Sequence, residues 1–283
     1  MHIQIKNVSF TYDSKVSPKW RALTDVSVDI PPNSMLAIVG AAGSGKTTLI
    51  QMMNGLLRPT KGQVIIDSNN LRDKKTNLIQ IREMIGMVFQ FPEMQLFEET
   101  VFDDVAFGPR QLGCSHTEIQ QRVLRALQLV HLNVKRFGHL SPFHLSGGEQ
   151  RKVAIAGVLA VQPKVLILDE PTVGLDQKSR DAIENLMKEY HESGKSVIFI
   201  SHDMDQVGRL AERVVVLARG TLVYDGLKDS LFQDRKLLDQ NGLVMPKISQ
   251  FLVDIEEKNI SVPKNIYHMK EAKEAIKKAL RKN

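Results

Sequence analysis

The sequence predicts an α/β fold built on a largely parallel sheet. Short apolar runs recur at Met35–Val39, Val64–Ile66, Ile85–Phe89, Val165–Leu168 and Val197–Ile200. Runs of this length are typical of strands that a parallel sheet buries on both faces. Helical patterns alternate with several of them, at Thr47–Leu57, Lys178–Glu192 and Met204–Ala211. This alternation of strand and helix favours an α/β sandwich.

Three parts of the chain break the alternation. Near the N-terminus, apolar residues alternate with polar ones at Ile3, Ile5 and Val8 and again at Val26, Val28 and Ile30, which predicts antiparallel strands. From about 91 to 161 the strand pattern disappears, and the helical spacing within His116–Val130 predicts a helical subdomain inserted in a domain of residues 1–230. Residues 231–283 predict a mainly helical extension. In it, Ile248, Phe251, Leu252 and Ile255 form the apolar face of an amphipathic helix.

The composition excludes several classes of protein. The net charge of +6 is concentrated between Lys264 and Asn283, where seven Lys or Arg accompany two Glu. Such a segment favours a solvated basic helix, so we expect no nucleic-acid partner. The single cysteine, Cys114, excludes an internal disulfide and a cysteine-based metal cluster, and suits a reducing cytosol. The sequence shows neither a secretory signal nor an apolar run near the roughly 20 residues that a membrane-spanning helix needs.

A phosphate-binding loop follows the Met35–Val39 run. The residues are Gly40, Ala41, Ala42, Gly43, Ser44, Gly45, Lys46, Thr47 and Thr48, and they match G-x-x-x-x-G-K-[ST] between a strand and a helix. Glycines let the backbone fold tightly so that N–H groups point at phosphate oxygens, and the following helix N-terminus adds positive potential. Lys46 supplies a charge for the terminal phosphates, and the Thr47 hydroxyl is placed to bind Mg²⁺.

Further motifs separate this chain from other phosphate-loop proteins. They are Leu145–Gln150 (LSGGEQ), Val165–Thr172 (VLILDEPT), Gly174–Asp176 (GLD) and Ser201–Asp203 (SHD). With the phosphate loop, this ordered set resembles the ABC ATPase family over about residues 1–230. The resemblance implies a RecA-like P-loop core, with ATP as substrate and Mg²⁺ as cofactor.

The same resemblance implies roles for individual residues. Tyr12 matches the aromatic residue that stacks on adenine, and Gln90 matches the glutamine that senses Mg²⁺ and the attacking water. Asp169 ends an apolar strand and is expected to hold Mg²⁺ through water, while Glu170 is expected to polarise the attacking water. Two adjacent carboxylates at a strand end would repel each other without a cation, which Mg²⁺ resolves. His202 matches the switch histidine that contacts the γ-phosphate.

A second group of motif residues points to a partner chain. Ser146, Gly147 and Gly148 precede an apolar helix and offer a hydroxyl and N–H groups to an anion. In this family they cover the γ-phosphate bound by another subunit, and Asp176 matches the residue that crosses the interface. One copy therefore lacks a complete site. Glu149 stands where the family usually has Gln, but the Ser and Gly residues are intact, so we expect activity to be retained.

The segment Val88–Val101, with Phe107-Gly108-Pro109 and Val153–Gly157, resembles the second, CbiO-like ATPase subunit of energy-coupling factor (ECF) transporters. This implies a heterodimer with a second ATPase, a transmembrane T-component and a substrate-binding S-component, at the cytoplasmic face of the membrane. In that family an arginine-bearing helix of the T-component docks after the glutamine. The acidic residues Glu93, Glu98, Glu99, Asp103 and Asp104 suit such a helix.

Two other functions are compatible with the shared motifs. A soluble ABC ATPase of DNA repair, chromosome handling or translation usually carries long coiled coils, zinc modules or a second cassette, and the sequence shows none. An ABC importer of another type, for amino acids or metals, is disfavoured by the Phe91–Val101 segment. The helical extension either packs against the partner ATPase or folds back on its own cassette. The transported vitamin or metal is recognised by a separate membrane protein in this family, so the sequence does not specify it.

Overall fold

The structure is a computed structural model that describes residues 1–13, 19–256 and 262–281. Its strands are β1 (Ile3–Tyr12), β2 (Trp20–Ile30), β3 (Met35–Val39), β4 (Lys61–Ile66), β5 (Asn69–Asn70), β6 (Ile85–Val88), β7 (Val165–Asp169), β8 (Ser196–Ile200), β9 (Arg213–Ala218) and β10 (Thr221–Leu227). Its helices are α1 (Lys46–Met53), α2 (Leu78–Met84), α3 (Val101–Gln111), α4 (His116–Leu129), α5 (Val134–Phe137), α6 (Gly147–Ala160), α7 (Gln177–Glu192), α8 (Met204–Leu210), α9 (Lys228–Gln233), α10 (Arg235–Gln240), α11 (Lys247–Glu256) and α12 (Met269–Leu280). Short 3₁₀ turns lie at Pro92–Gln95 and Pro142–His144.

The central sheet has the strand order β10-β9-β3-β8-β7-β6. The strands from β9 to β6 are parallel, and only β10, at the edge, runs antiparallel. Every residue of β3, β6, β7 and β8 is buried, as the continuous apolar runs predicted. Because these strands are parallel, their carboxyl ends lie at one edge of the sheet. The loops that follow them meet there.

A second sheet of order β2-β1-β4-β5 packs beside α1, and its strands are antiparallel. The prediction of antiparallel N-terminal strands is confirmed. The interpretation of Val64–Ile66 as a parallel strand is wrong, because β4 pairs antiparallel with β1. Burial alternates in β4, with Val64 and Ile66 buried and Ile65 only half-buried. The central sheet contains instead β9, which pairs parallel with β3 and was not recognised as a strand of it.

Helices occupy the chain between β6 and β7. The predicted helix in His116–Val130 is α4, and its buried face holds Val123 and Leu127, whereas Leu124 is exposed. Side chains from α3, α4 and α6 share one apolar core with the parallel sheet. No helix in the described ranges is both long and apolar enough to cross a membrane.

The C-terminal helices fold back on their own chain. Leu252 of α11 packs with Val262 and with Ala272 of α12, and Ile248 and Ile255 border the same cluster. The apolar helix face that the sequence predicts is thus largely covered by other residues of the same chain, although Phe251 is exposed. Tyr267 fixes this unit to the cassette. Its ring lies 5.6 Å from that of Phe232, and its hydroxyl donates a 2.6 Å hydrogen bond to Asp229 Oδ1.

Candidate functional site

The loop after β3 wraps tightly at the carboxyl edge of the central sheet. Gly40 has φ 142° and Gly45 has φ 101°, in the left-handed half of conformational space. A Cβ on Gly40 would lie 2.1 Å from the carbonyl oxygen of Leu217, and one on Gly45 would lie 2.6 Å from that of Ala22. The backbone therefore requires glycine at both positions.

This loop is also hydrogen-bonded to the rest of the nucleotide edge. The N–H of Gly220, in the turn between β9 and β10, donates to the carbonyl oxygen of Ser44 at 3.1 Å. The N–H of Thr24, on β2, donates in turn to the carbonyl oxygen of Gly220 at 2.7 Å. The antiparallel sheet is thereby joined to the phosphate loop through one turn.

Lys46 lies inside this loop with only 6% of its surface exposed. Its Nζ donates to the carbonyl oxygens of Gly40, at 2.8 Å, and Ala41, at 2.9 Å. Burial lowers the pKa of Lys46, while the charges of Glu170 and Asp169 oppose that shift. The buried Oγ of Ser44 has no hydrogen-bond partner among the residues described by the structure. A buried cation and an unsatisfied hydroxyl in one glycine-rich loop fit a bound polyphosphate.

Two adjacent carboxylates face the loop from the end of β7. The Thr47 hydroxyl donates to Asp169 Oδ2 at 3.0 Å. Burial raises the pKa of Asp169, and the charge of Glu170 adds to the rise against the hydrogen bond from Thr47. A cation beside Asp169 would relieve both effects. Within the described parts of the chain, no cluster of three or more His, Cys, Asp or Glu could hold a metal. One carboxylate and one hydroxyl instead suit Mg²⁺, which usually takes few protein ligands beside phosphate and water.

The Glu170 carboxylate is held by residues from the two neighbouring strand ends. His202, after β8, has its Nε2 2.7 Å from Glu170 Oε1. Gln90, after β6, donates from Nε2 to Glu170 Oε2 at 3.4 Å. The structure thus brings together five of the predicted site residues at one edge: Lys46, Thr47, Asp169, Glu170 and His202. Gln90 joins them from the beginning of the helical region.

Two aromatic residues border the far side of the phosphate loop. Tyr12 and Trp20 are directly paired across β1 and β2. Together with Ala22 and residues 43–48 they line a cavity of about 140 Å³. The Tyr12 hydroxyl lies 3.2 Å from Thr48 Oγ1. Tyr12 thus lies beside the phosphate loop, and so does Trp20, 61% exposed, which the sequence motifs do not indicate.

The second group of motif residues forms a separate cluster. Ser146 and Glu149 make a capping box at the start of α6, in which the Ser146 hydroxyl donates to Glu149 Oε2 at 2.7 Å. This bond lowers the pKa of Glu149. Gly148 lies against Ser179, which also bonds to Asp176, the N-cap of α7. Among the described residues, no hydrogen bond, ion pair or cavity joins this cluster to the phosphate loop. The site is split between two surfaces of the chain.

An apolar groove of about 340 Å³ lies between the central sheet and the helical region. Its walls include Phe97 and Phe107, whose rings meet edge to face at 5.0 Å. Gly108 and Gly157 also line it. A Cβ on Gly108 would lie 2.7 Å from the Val161 side chain, so the walls approach closely at that point.

Three of the five acidic residues that suit an arginine-bearing helix already have partners within the chain. Glu93 pairs with the buried Arg151, and Asp103 pairs with Thr100 and Arg110. Asp104 is buried and accepts hydrogen bonds from the N–H groups of Phe97 and Glu98, both at 3.0 Å. These carboxylates thus already take part in helix capping, in closing a loop and in ion pairs within the chain. Glu98 and Glu99 make no side-chain ion pair or hydrogen bond among the residues that the structure describes.

A short stretch of the extension also reaches the site. Gly242, Leu243 and Val244 line a small cavity with Gly40, Ala41 and His202. They lie after Asn241 and before α11, in a segment whose sequence indicates only a turn. Lys247, at the start of α11, donates its N–H to Asp205 Oδ1 at 2.7 Å, which holds the segment beside α8.

This fold and this site are those of an ATP-binding cassette, and a model of the ABC transporter family matches residues 23–173. The ATP-binding cassette MJ0796, in a dimeric post-hydrolysis state with ADP and Pi, superposes with a TM-score of 0.71 at 33% identity, over 80% of this chain and 98% of that one. CbiO1 from Clostridium perfringens, described as part of the ABC transporter complex cbiONQ, superposes with a TM-score of 0.74 at 32% identity. The superposition covers 89% of this chain and 98% of the CbiO1 chain.

Curated relatives show to which group of ABC proteins this chain belongs. The energy-coupling factor transporter ATP-binding protein EcfA2 of Caldanaerobacter subterraneus is 43% identical over 99% of this chain and 98% of that protein. The EcfA2 of Symbiobacterium thermophilum is 45% identical over 99% of this chain and 97% of its own length. The chain therefore belongs to the energy-coupling factor transporter ATP-binding proteins of the ABC family. The prediction of an ATP-binding and hydrolysing ABC subunit is confirmed.

Proposed function

We propose that this chain energises an ECF-type membrane importer for vitamins or transition metal ions by binding and hydrolysing ATP. The observation that carries the proposal is the position of Glu170, whose two carboxylate oxygens lie against His202 and Gln90 beside the phosphate loop. Full-length similarity to EcfA2 proteins supports the transport role.

The phosphate loop of this chain binds the triphosphate. Backbone N–H groups from Gly40 to Thr48 surround the phosphates, and Lys46 exchanges its two carbonyl partners for phosphate oxygens. Tyr12 stacks on the adenine. Thr47, Gln90 and Asp169 would hold Mg²⁺, with Asp169 acting through water. When bound, Mg²⁺ neutralises phosphate charge and polarises the γ-phosphoryl group.

Hydrolysis at this edge places Glu170 beside the attacking water. Its carboxylate accepts a hydrogen bond from that water, raises the electron density on the oxygen and aligns it for in-line attack on the γ-phosphorus. His202 donates to a γ-phosphate oxygen and stabilises the charge that develops there. Lys46 acts on the same terminal phosphates.

The separate signature cluster completes the site of a second subunit. Ser146, Gly147 and Gly148 lie at the N-terminus of a fourteen-residue helix and present N–H groups and a hydroxyl to the γ-phosphate of a partner cassette. Asp176 faces the same interface from the N-terminus of α7. We infer a head-to-tail heterodimer with a related ATPase.

The groove beside Phe97 and Phe107 is the docking site for a cytoplasmic helix of the T-component. Its apolar floor suits one face of such a helix, and Glu98 and Glu99, which directly follow the groove residue Phe97, suit arginine side chains. The assembly is completed by an S-component that recognises the substrate. The chain then lies at the cytoplasmic face of the membrane as a peripheral subunit.

Co-purification tests this proposal. The tagged full-length chain is isolated from detergent-solubilised membranes, and the associated proteins are identified by mass spectrometry. We expect a second ATPase, one T-component and at least one small S-component. Recovery of a permease pair would instead favour an ABC importer of another type. Recovery of no membrane protein would favour a soluble ABC ATPase that does not act in transport.

A further inference from the structure

Among the described arginines that pair with a carboxylate, Arg151 has the most deeply buried side chain, of which only 3% is exposed. It lies in the second turn of α6, behind the signature residues Ser146 to Gly148. A guanidinium at such burial is stable only when its donors are satisfied. Its donors reach two different loops, and neither loop belongs to α6.

The first loop is the 3₁₀ turn that follows Gln90. Arg151 donates from Nε to Glu93 Oε2 at 2.9 Å and from Nη2 to Glu93 Oε1 at 2.7 Å, in a bidentate pair. Burial raises the pKa of Glu93, but the hydrogen bonds and charge of Arg151 outweigh this, so the pKa lies below its usual value. This turn ends at Gln95, and Gln95 and the next two residues, Leu96 and Phe97, line the apolar groove.

The second loop follows Glu170. Arg151 Nη1 donates to the carbonyl oxygens of Val173, at 2.6 Å, and Pro171, at 3.3 Å. Pro171 is the residue directly after Glu170, and Val173 belongs to the same turn. The N–H of Val173 donates back to the Glu170 carbonyl oxygen at 3.4 Å. One rigid planar group thus bonds the groove-lining turn at one end and the turn carrying Glu170 at the other.

We propose that Arg151 is a positioning residue that couples occupancy of the groove to the placement of Glu170. The inference rests on the functions proposed above for the groove and for Glu170. The five donors of a guanidinium have fixed mutual geometry, so a displacement of Glu93 reorients the whole fork. The carbonyl bonds to Pro171 and Val173 then shift with it. A helix that docks in the groove and moves the 3₁₀ turn therefore changes the position of the catalytic carboxylate.

A second arginine pair provides a matched control. Arg209 of α8 binds Glu184 of α7 with nearly the same geometry, at 3.0 Å and 2.7 Å, and Glu184 is buried. Among the described residues, its guanidinium makes no bond to a loop of the site. Breaking this pair disturbs a buried bidentate ion pair without touching the proposed link.

The experiment compares Arg151→Lys with Arg209→Lys in the complete, purified transporter complex. Lysine keeps the positive charge but loses the fork, so it reaches either Glu93 or the carbonyl oxygens but not both. We measure kcat and KM for ATP, and the ratio of ATPase rates with and without the membrane partners. We expect Arg151→Lys to lower kcat by a factor between about 3 and 30 while KM stays within about twofold. The rate ratio falls towards one. Arg209→Lys leaves both quantities near wild type.

Glu93→Gln and Glu93→Asp approach the link from the other end, with Glu184→Gln as the control. Glu93→Gln should reproduce the loss of the rate ratio, and the double variant with Arg151→Lys should be no worse than the stronger single one. Glu93→Asp keeps the negative charge, so it provides a second variant at this position if another variant fails to fold. Thermal melting is recorded for each.

A structural role alone predicts a different result. In that case Arg151→Lys and Arg209→Lys lower the melting temperature alike, while kcat and the rate ratio stay at wild type in both, and the proposal is overturned. Failure of the proposed function is recognised separately. It would show as normal turnover in Glu170→Gln or as no membrane partner in the purified complex.

Discussion

The Nε2 atom of His202 lies 2.7 Å from Oε1 of Glu170, across two neighbouring strand ends of the central sheet. Gln90 contacts the other carboxylate oxygen from the next strand along. Glu170 itself has φ 48°, a left-handed conformation that is uncommon outside glycine. Contacts from the loops after β8 and β6 therefore help to hold this carboxylate in place.

Replacement of Glu170 by Gln should stop turnover without preventing ATP binding. The amide keeps the shape of the side chain but removes the negative charge that polarises water. We expect hydrolysis to fall by roughly 10²-fold or more. Binding and hydrolysis are measured separately in the assembled complex. Lys46→Ala is the contrasting variant, because it should weaken nucleotide binding itself, and near-normal hydrolysis by Glu170→Gln would remove Glu170 from its role.

Trp20 should report nucleotide binding. It is the single tryptophan of the sequence and lines the cavity beside Tyr12 and the phosphate loop. We expect its fluorescence to change when ATP or ADP binds, with the midpoint at the calorimetric Kd. Tyr12→Ala should weaken binding by about 1–3 kcal/mol, the usual contribution of one base-stacking aromatic residue. Saturating ATP without any change in emission would place the base away from Trp20.

Reversal of Glu98 and Glu99 to Lys should impair assembly with the membrane partners. These two carboxylates directly follow the groove residue Phe97 in the chain. Lysines there would face docking arginines with like charge, which costs several kcal/mol at a contact. ATP binding by the chain should be unchanged. The control reverses Glu189 and Glu192, which are exposed on α7 and do not line the groove. Equal recovery of partners by both double variants would locate docking elsewhere.

Tyr267 should anchor the C-terminal helices. Its ring packs on Phe232, the ammonium of Lys228 lies 4.7 Å from the ring centroid, and its hydroxyl binds Asp229. Burial and the neighbouring carboxylate raise the pKa of Tyr267 far above its usual value, so the donor stays protonated. We expect Tyr267→Phe to lower the free energy of unfolding by about 1 kcal/mol and Tyr267→Ala by about 3–5 kcal/mol. Urea unfolding measures both. Phe251→Ser, at an exposed position, should have little effect.

Much of the fold could be predicted from the sequence because strands buried on both faces leave continuous apolar runs. Val64–Ile66 shows where that reasoning fails. A three-residue apolar run has the same appearance in a strand buried on one face, and only its pairing with β1 reveals the alternation. The strand β9 was overlooked because its role depends on lying beside β3, which sequence order does not indicate.

The residues of the candidate site could also be predicted only in part from the sequence. The phosphate loop and the residues after β7 and β8 follow from local motifs, and the structure brings them to one edge of the central sheet. Trp20 could not be found, because its position depends on the register that sets it opposite Tyr12. The acidic segment was misjudged because the sequence shows charges but not their partners. Asp104 caps a loop, and Glu93 is neutralised by an arginine far along the chain.

The hydrogen bonds from Thr24 to Gly220 and from Gly220 to Ser44 have a consequence for how the nucleotide is carried. They join the sheet that bears Tyr12 to the loop that bears Lys46. If Tyr12 stacks on adenine as proposed, a swing of the helical region would leave the base and the phosphates on parts of the chain that are joined to each other. In the function proposed above, a movement imposed by membrane partners would then change the timing of phosphate cleavage more than the affinity for ATP.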